Sequence, residues 1–281
     1  ADDNFYPVTL EDLAQARRRK DPSRLQELEA LRAERFELMA KLAKLPDDLV
    51  FYTQITMEAA EDPAFLDAMR KANIRGALVG VESVTAEGLK DVYKGFNLHG
   101  EALVERLQRF KQHGIHVLGS FIFGLPGDRP DSFDATLDVA EKAGLTFAQF
   151  VMLTPFPGTL DFAAWEKSLG DAPERIGGIP INRHWLIPQA QRPKIYMTHP
   201  VMSAEEIRSN TQGVWDRFYQ FSLVWERAQC VTSMKSKLAF VLISKLYRQM
   251  YANTGISTDS ARHSRANRMA RMLAKPLVKL F

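Results

Sequence analysis

Four apolar runs of similar construction constrain this chain more than any other feature. They are DLVFYTQ, GALVGVES, VLGSFIFGLPGD and TFAQFVMLTPFPGT, and strands are expected to start near Leu49, Gly76, Val117 and Phe147. Each is short, apolar and bounded by polar, Gly or Pro residues at its C-terminal end, which is how a buried strand reads. Stretches of helical spacing separate them, and that alternation is the signature of parallel β/α units. A doubly wound sheet and a barrel both satisfy it. Neither GxGxxG nor a P-loop is present, which argues against a nucleotide-phosphate site of the Rossmann type. The polar strand ends match a barrel-type active face, where ligands meet the C-terminal ends of the strands.

Local signals delimit the helices. Thr9 and Asp12 form a variant capping box. Pro22-Ser23 opens a long helix with Leu28, Leu31, Leu38, Met39, Leu42 and Leu45 at helical spacing, and Pro46 stops it. Further helices are expected over 63–72, 86–93, 98–113, 132–143 and 161–169. Residues 170–193 read as an extended loop around Trp185, and 194–197 as a short strand. Ser203 and Glu206 then start a helix. Its Ile207, Val214, Trp215 and Phe218, with Phe221 and Trp225 beyond, form an aromatic face suited to packing.

Composition adds bounds. The 281 residues, 46% hydrophobic and 25% charged, suffice for one large or two small globular domains. Cys230 is the single cysteine, so no intramolecular disulfide can form, and a cytoplasmic location is the natural expectation. No apolar run approaches the ~20 residues of a membrane-spanning helix. The chain opens on Ala-Asp-Asp-Asn-Phe and reads as the inside of a longer protein.

Glu82 is the most informative single residue. It follows the apolar run 77–81, so its carboxylate is expected at a strand mouth, where an acid is rarely left without a partner. It can accept a hydrogen bond from a ligand amine or ribose hydroxyl, act as a general base, or pair with a nearby Lys or Arg. No HExxH or CxxC set and no GxSxG elbow appears, so neither a zinc site nor a serine nucleophile is expected. A conventional barrel enzyme with Glu82 as base and a non-catalytic binding module both remain open.

DDNF, GVES, GSFIFGLPGD and LTPFPGT, in this order and at these intervals, resemble the radical S-adenosylmethionine (SAM) superfamily, and more closely its class with a cobalamin-binding domain. The resemblance covers 2–159, with a looser match at RPKIYMTHP and beyond. It implies an α/β fold with a partial (β/α) barrel over 1–160, lacking its first strand, followed by a mainly helical region over 161–281. It also implies SAM, a 4Fe–4S cluster and cobalamin as cofactors of the full-length enzyme. By position, Asp3 and Asn4 match the strand end that binds the SAM amino group, and Glu82 and Ser83 a SAM-contacting position. Gly119, Phe121 and Gly124 match the motif that lies against the adenine. Thr154 and Pro155 close the far side, and Gln54 ends the intervening strand. The departure is equally plain: the family's CxxxCxxC loop is absent, and three thiolates are needed to hold the cluster. The chain is therefore expected to be the C-terminal portion of a longer methyltransferase, inactive alone.

The tail suggests the substrate. From Ala228 to Phe281, ten Lys/Arg stand against one acid, Asp259. A helix over 234–251 is expected to carry Leu238, Val241, Leu242 and Leu246 on one side. A second, capped by Asp259, carries Arg262, Arg265, Arg268 and Arg271 beside Met269, Met272 and Leu273. A basic amphipathic segment suits a membrane interface. Methylation of a lipid-like molecule, with hopanoid methylases as one such group, and peripheral membrane contact follow as expectations. No nucleic-acid partner is expected.

Overall fold

The computed structural model describes residues 4–91, 100–193 and 195–254. Two helices come first. Helix α1 (Leu10–Arg18) begins with the Thr9–Asp12 capping box. Helix α2 (Pro22–Leu42) is capped by Asp21 and ends before Pro46. Then follow β1 (Phe51–Ile55), α3 (Pro63–Lys71), β2 (Ile74–Glu82), α4 (Ala86–Asp91), α5 (Gly100–Gln112), β3 (His116–Phe123), α6 (Pro130–Lys142), β4 (Phe147–Met152) and α7 (Leu160–Ser168).

The four strands form one parallel sheet in the order β1-β2-β3-β4. Each pairs with its sequence neighbour, so Ala77 lies beside both Thr53 and Val117, and Gly119 beside Ala148. Side chains alternate between faces along a strand. One face carries Ile55, Val79, Phe121, Phe123, Phe150 and Met152, all at most 2% exposed, and makes the main core with the helices. The other carries Tyr52, Gln54, Ser120 and Gln149.

Residues 170–193 are more ordered than an extended loop. They hold a two-residue hairpin, β5 (Arg175–Ile176) with β6 (Ile179–Pro180), and a 3₁₀ segment over Ile181–Leu186 that packs on Phe162 and Trp165 of α7. No strand forms over 195–197, in contrast to the expected one. Ile195 packs on the core and Tyr196 lies against His184, so their side chains fix the segment without ladder bonds.

Helices α8 (Ala204–Phe218), α9 (Phe221–Arg227) and α10 (Met234–Thr254) finish the described chain. The aromatic face of α8 packs as its pattern suggests, with Ile207, Val214, Trp215 and Phe218 fully buried. Phe221 differs: it is 61% exposed and stacks on Trp225. Packing alone understates what α8 does. Strand β4 is an edge of the sheet, and edge strands leave backbone groups unpaired. Tyr219 Oη accepts the Ala148 N–H (3.1 Å) and donates to the Ala148 carbonyl (2.8 Å). Trp215 Nε1 donates to the Phe150 carbonyl at 2.7 Å.

Helix α10 turns inward only part of the expected apolar side: Val241 packs on the core. Leu238 is 58% exposed, whereas Phe240 and Ser244 are buried and Tyr247 and Tyr251 pack on the core. The tyrosines reach the polar face of the sheet. Both hydroxyls donate to Gln149 Oε1, Tyr251 at 2.5 Å and Tyr247 at 3.4 Å, and Gln149 Nε2 donates to Ser120 Oγ at 2.8 Å. Polar partners on the strands have chosen the helix face. The second basic helix expected past Gly255 lies outside the described residues. No described helix is long and apolar enough to cross a membrane.

Candidate functional site

The C-terminal ends of the four strands stand side by side, and the loops leaving them build the site. Glu82 closes β2 just past an irregularity in its pairing with β3, between Gly80 and Glu82. Its backbone is left-handed, with φ +66°. For a residue with a Cβ this is uncommon and costs on the order of 1 kcal/mol or more; such strain gathers at ligand-binding positions. Ser83, 5% exposed, has its hydroxyl committed locally: it accepts the Thr85 N–H at 3.2 Å. Thr85 Oγ1 accepts the Gly88 N–H at 3.0 Å, which starts α4. A Cβ on Gly88 would stand 2.2 Å from Ser83 Oγ, so glycine is required there.

At the end of β3, Gly124 takes φ +88° and opens the Gly-Leu-Pro-Gly turn. Asp128 holds the turn from within: its Oδ2 accepts the N–H groups of Gly124 (2.8 Å) and Leu125 (3.0 Å). Asp91 Oδ2 accepts the Gly127 N–H at 2.6 Å. Burial of Asp128, 2% exposed, pushes its carboxyl up to about 6, against the two N–H donors; Asp91 adds to the rise and Arg129 opposes it. His199 grips the turn from outside. Its Nε2 donates to the Leu125 carbonyl at 2.9 Å, and its Nδ1 accepts the N–H groups of Val201 (3.1 Å) and Met202 (2.9 Å). Those partners fix the neutral tautomer. The turn is thereby a rigid shelf of backbone.

The outer strands frame this pair. Beyond β4, Thr154 Oγ1 donates to the Met152 carbonyl (3.1 Å), and the buried Pro155 offers its carbonyl to His184 Nε2 (3.0 Å). Beside β1, Phe5 N–H donates to the Gln54 carbonyl at 2.9 Å, so Asn4 and Phe5 lie along the end of that strand. The Asn4 amide ties the two together: Oδ1 accepts the N–H groups of Tyr6 (3.0 Å) and Thr56 (3.1 Å), and Nδ2 donates to the Tyr6 carbonyl (2.7 Å). Gln54 is exposed on the polar face. Asp3 lies outside the described residues.

Glu82, Gly124 and Thr154 are thus brought to one end of the sheet, while Ser83, Asn4 and Pro155 serve the loops themselves. Gly119 and Phe121 are turned elsewhere. The Phe121 ring is fully buried and stacked on Phe150 at 5.4 Å, and a Cβ on Gly119 would meet Leu145 at 2.6 Å. Both lie on the helix-covered face, so neither offers a side chain to a ligand. Asp128, Asp91 and His199 were not among the expected site residues. Asp128 sits inside the quoted GLPGD motif, and a carboxyl two residues past Pro-Gly's proline is a turn-closing signal. Asp91 and His199 are remote in sequence and carry no such mark.

Among the described residues, no group of three or more His, Cys, Asp or Glu is placed to hold a metal. Cys230, the chain's one cysteine, is exposed on the short turn after α9. A 4Fe–4S cluster bound through three thiolates does not fit these residues.

No family model matches the chain. It is 31% identical over 104 residues to an uncharacterised methyltransferase of Pyrococcus horikoshii, covering 37% of this chain and 22% of the relative. It is 34% identical over 125 residues to bacteriochlorophyllide d C-12(1)-methyltransferase of Chlorobaculum tepidum, covering 44% and 26%. To the hopanoid C-2 methylase of Rhodopseudomonas palustris it is 26% identical over 106 residues, covering 38% and 20%. The matches thus span about a fifth to a quarter of these relatives. Among solved structures, the radical SAM methyltransferase TsrM of Kitasatospora setae, with tryptophan and a SAM analogue bound, superimposes with a TM-score of 0.53. That match has 16% identity and covers 86% of this chain and 51% of TsrM. In sequence the chain is similar to methyltransferases and in fold to a radical SAM methyltransferase, the superfamily that its DDNF, GVES, GLPGD and TPFPGT segments resemble.

Proposed function

We propose that this chain binds SAM across the C-terminal ends of its strands, as the partial barrel of a cobalamin-dependent radical SAM methyltransferase. The observation that carries the reading is that Glu82, in its strained conformation, and the rigid backbone shelf at Gly124–Gly127 stand at the ends of adjacent strands. Glu82 would accept hydrogen bonds from the SAM amino group or ribose, and the shelf would lie against the adenine. Bare backbone beside a strand end is the kind of surface a flat ring approaches closely. Thr154, with its hydroxyl at the mouth of β4, would border the far side.

The cluster's thiolates are not among the 281 residues, so they must come from elsewhere, as must the cobalamin site. SAM supplies the methyl group in the proposed reaction, and residues of this chain position it. By itself the chain should bind SAM without cleaving it. Calorimetric titration of the chain with SAM tests the reading. Glu82→Gln should weaken affinity roughly tenfold to a hundredfold, the range for one lost charge-assisted hydrogen bond. No saturable binding, or binding indifferent to Glu82, would return the site to a conventional barrel enzyme or a binding module.

For the acceptor we propose an unactivated carbon on a lipid-like molecule, with the basic tail past residue 255 docking the enzyme on an anionic bilayer. The six Lys/Arg past residue 255, of ten from Ala228 onward, support this. Each is worth about 1 kcal/mol near such a surface. Flotation on anionic and neutral liposomes, with and without 256–281, checks it; equal recovery would remove the support. A pigment macrocycle is the second reading, favoured by the 34% identity to the bacteriochlorophyllide enzyme against 26% to the hopanoid enzyme.

A further inference from the structure

A second concave region lies at the other end of the sheet, where β3 and β4 begin. It is a cleft of about 670 Å³ bordered by Arg70, Lys111, His116, Arg227 and Cys230, with Glu141 and Glu226 at its edge. Its three long cations come from three different elements: Arg70 from the end of α3, Lys111 from the end of α5, Arg227 from the end of α9. Two glycines make room for them. The Arg70 guanidinium lies over Gly114, where a Cβ would stand 2.7 Å from Nε, and Lys111 Nζ lies over Gly144, 3.0 Å from the corresponding position. Both glycines have positive φ, +71° and +60°, and close the turns into β3 and β4.

Among the described residues none of the three has a carboxylate within ion-pair distance, although such pairs occur elsewhere, as at Arg32–Asp62 and Arg106–Glu61. Arg227 is the most telling. Its guanidinium is held 3.9 Å over the Phe218 ring, and Nη2 donates to the Phe218 carbonyl at 2.6 Å. Its Nε is buried with no hydrogen-bond partner. The neighbouring imidazole feels the same field: His116 is held below the ordinary histidine range by burial first, then by Lys111 and Arg70.

We infer that this cleft is a binding site for a small, soluble phosphorylated anion, clamped by Arg70, Lys111 and Arg227. A guanidinium oriented by an aromatic face, with two further cations bordering the same cleft, can recognise phosphate oxygens. Glu141 and Glu226 flank the cleft and limit it to a ligand that makes direct contacts, since the long-range field is partly cancelled.

Pyrophosphate is the probe, titrated into the full chain while the His116 ring resonances are followed by NMR and heat by calorimetry. The expected result is saturable binding with the His116 pKa moving upward, because a bound anion offsets the two cations. The double variant Arg70→Gln/Lys111→Gln removes only surface charges and should weaken affinity at least about tenfold. Arg227→Lys keeps charge but loses the fork and should weaken it as well. No saturation by pyrophosphate at millimolar concentration, or an unchanged dissociation constant in the double variant, would overturn the inference. So would binding to phosphatidic acid vesicles with none to free pyrophosphate, since that would make the cleft a headgroup site.

Discussion

Tyr219, in the turn after α8, satisfies both backbone groups of Ala148 in the edge strand β4: one hydroxyl accepts its N–H and donates to its carbonyl. Removing that oxygen strands two buried groups at once. Tyr219→Phe should destabilise the fold by roughly 2–6 kcal/mol, given 1–3 kcal/mol for each of the two buried groups left unpaired. Urea denaturation measures it. Light scattering should also show more self-association, because the edge becomes available to another strand. A loss below about 1 kcal/mol would mean water replaces the hydroxyl.

Asp128 makes stability depend on pH in an unusual direction. Its carboxyl is pushed up from the ordinary 3.8 to about 6 in the folded chain. The folded state therefore binds the proton more tightly. The contribution is fully present below about pH 4 and is lost as pH rises through about 6, a change of roughly 2–3 kcal/mol. Asp128→Asn keeps an acceptor for Gly124 and Leu125 without the charge. The difference between wild type and variant should favour wild type least above pH 7 and should vary across pH 4–7. A difference that stays flat across that range would place the Asp128 pKa near its ordinary value.

Glu82 is predicted to set binding against stability. Glycine adopts positive φ without the Cβ penalty, so Glu82→Gly should hold stability level or raise it by up to about 1 kcal/mol. The same change should weaken SAM binding as Glu82→Gln does. Thermal melts with and without SAM read both effects. A destabilised Glu82→Gly protein would mean that the carboxylate's contacts hold the loop.

Arg32 and Asp62 form the joint between α2 and the start of α3. Arg32 Nη1 lies 2.5 Å from Asp62 Oδ2, which also accepts the Tyr6 hydroxyl at 3.0 Å, and the Asp62 side chain is 3% exposed. Arg32→Ala should cost about 3 kcal/mol, because it leaves a buried carboxylate without its cation. The double variant Arg32→Met/Asp62→Asn should recover part of this, since a neutral pair avoids the desolvation of two charges. A double-mutant cycle by chemical denaturation checks the coupling.

The sequence by itself determined the β/α alternation, the four strands to within two or three residues, and the caps at Thr9 and Ser203. These depend on neighbours within a turn or a strand, so residue type and spacing suffice. It also marked Glu82 and the Gly-Leu-Pro-Gly turn, because an acid or a glycine at the end of an apolar run is a local anomaly. It could not show that Glu82 is left-handed, which follows from its pairing with β3, nor which side of that strand Gly119 and Phe121 occupy, since both faces of β3 are apolar. On α10 it grouped Leu238, Val241, Leu242 and Leu246, whereas the tertiary structure leaves Leu238 exposed and adds Tyr247 and Tyr251 to the packed side. Their hydroxyls find Gln149 only once β4 and α10 are side by side, and a hydrogen bond between residues about a hundred positions apart leaves no periodic trace in either segment.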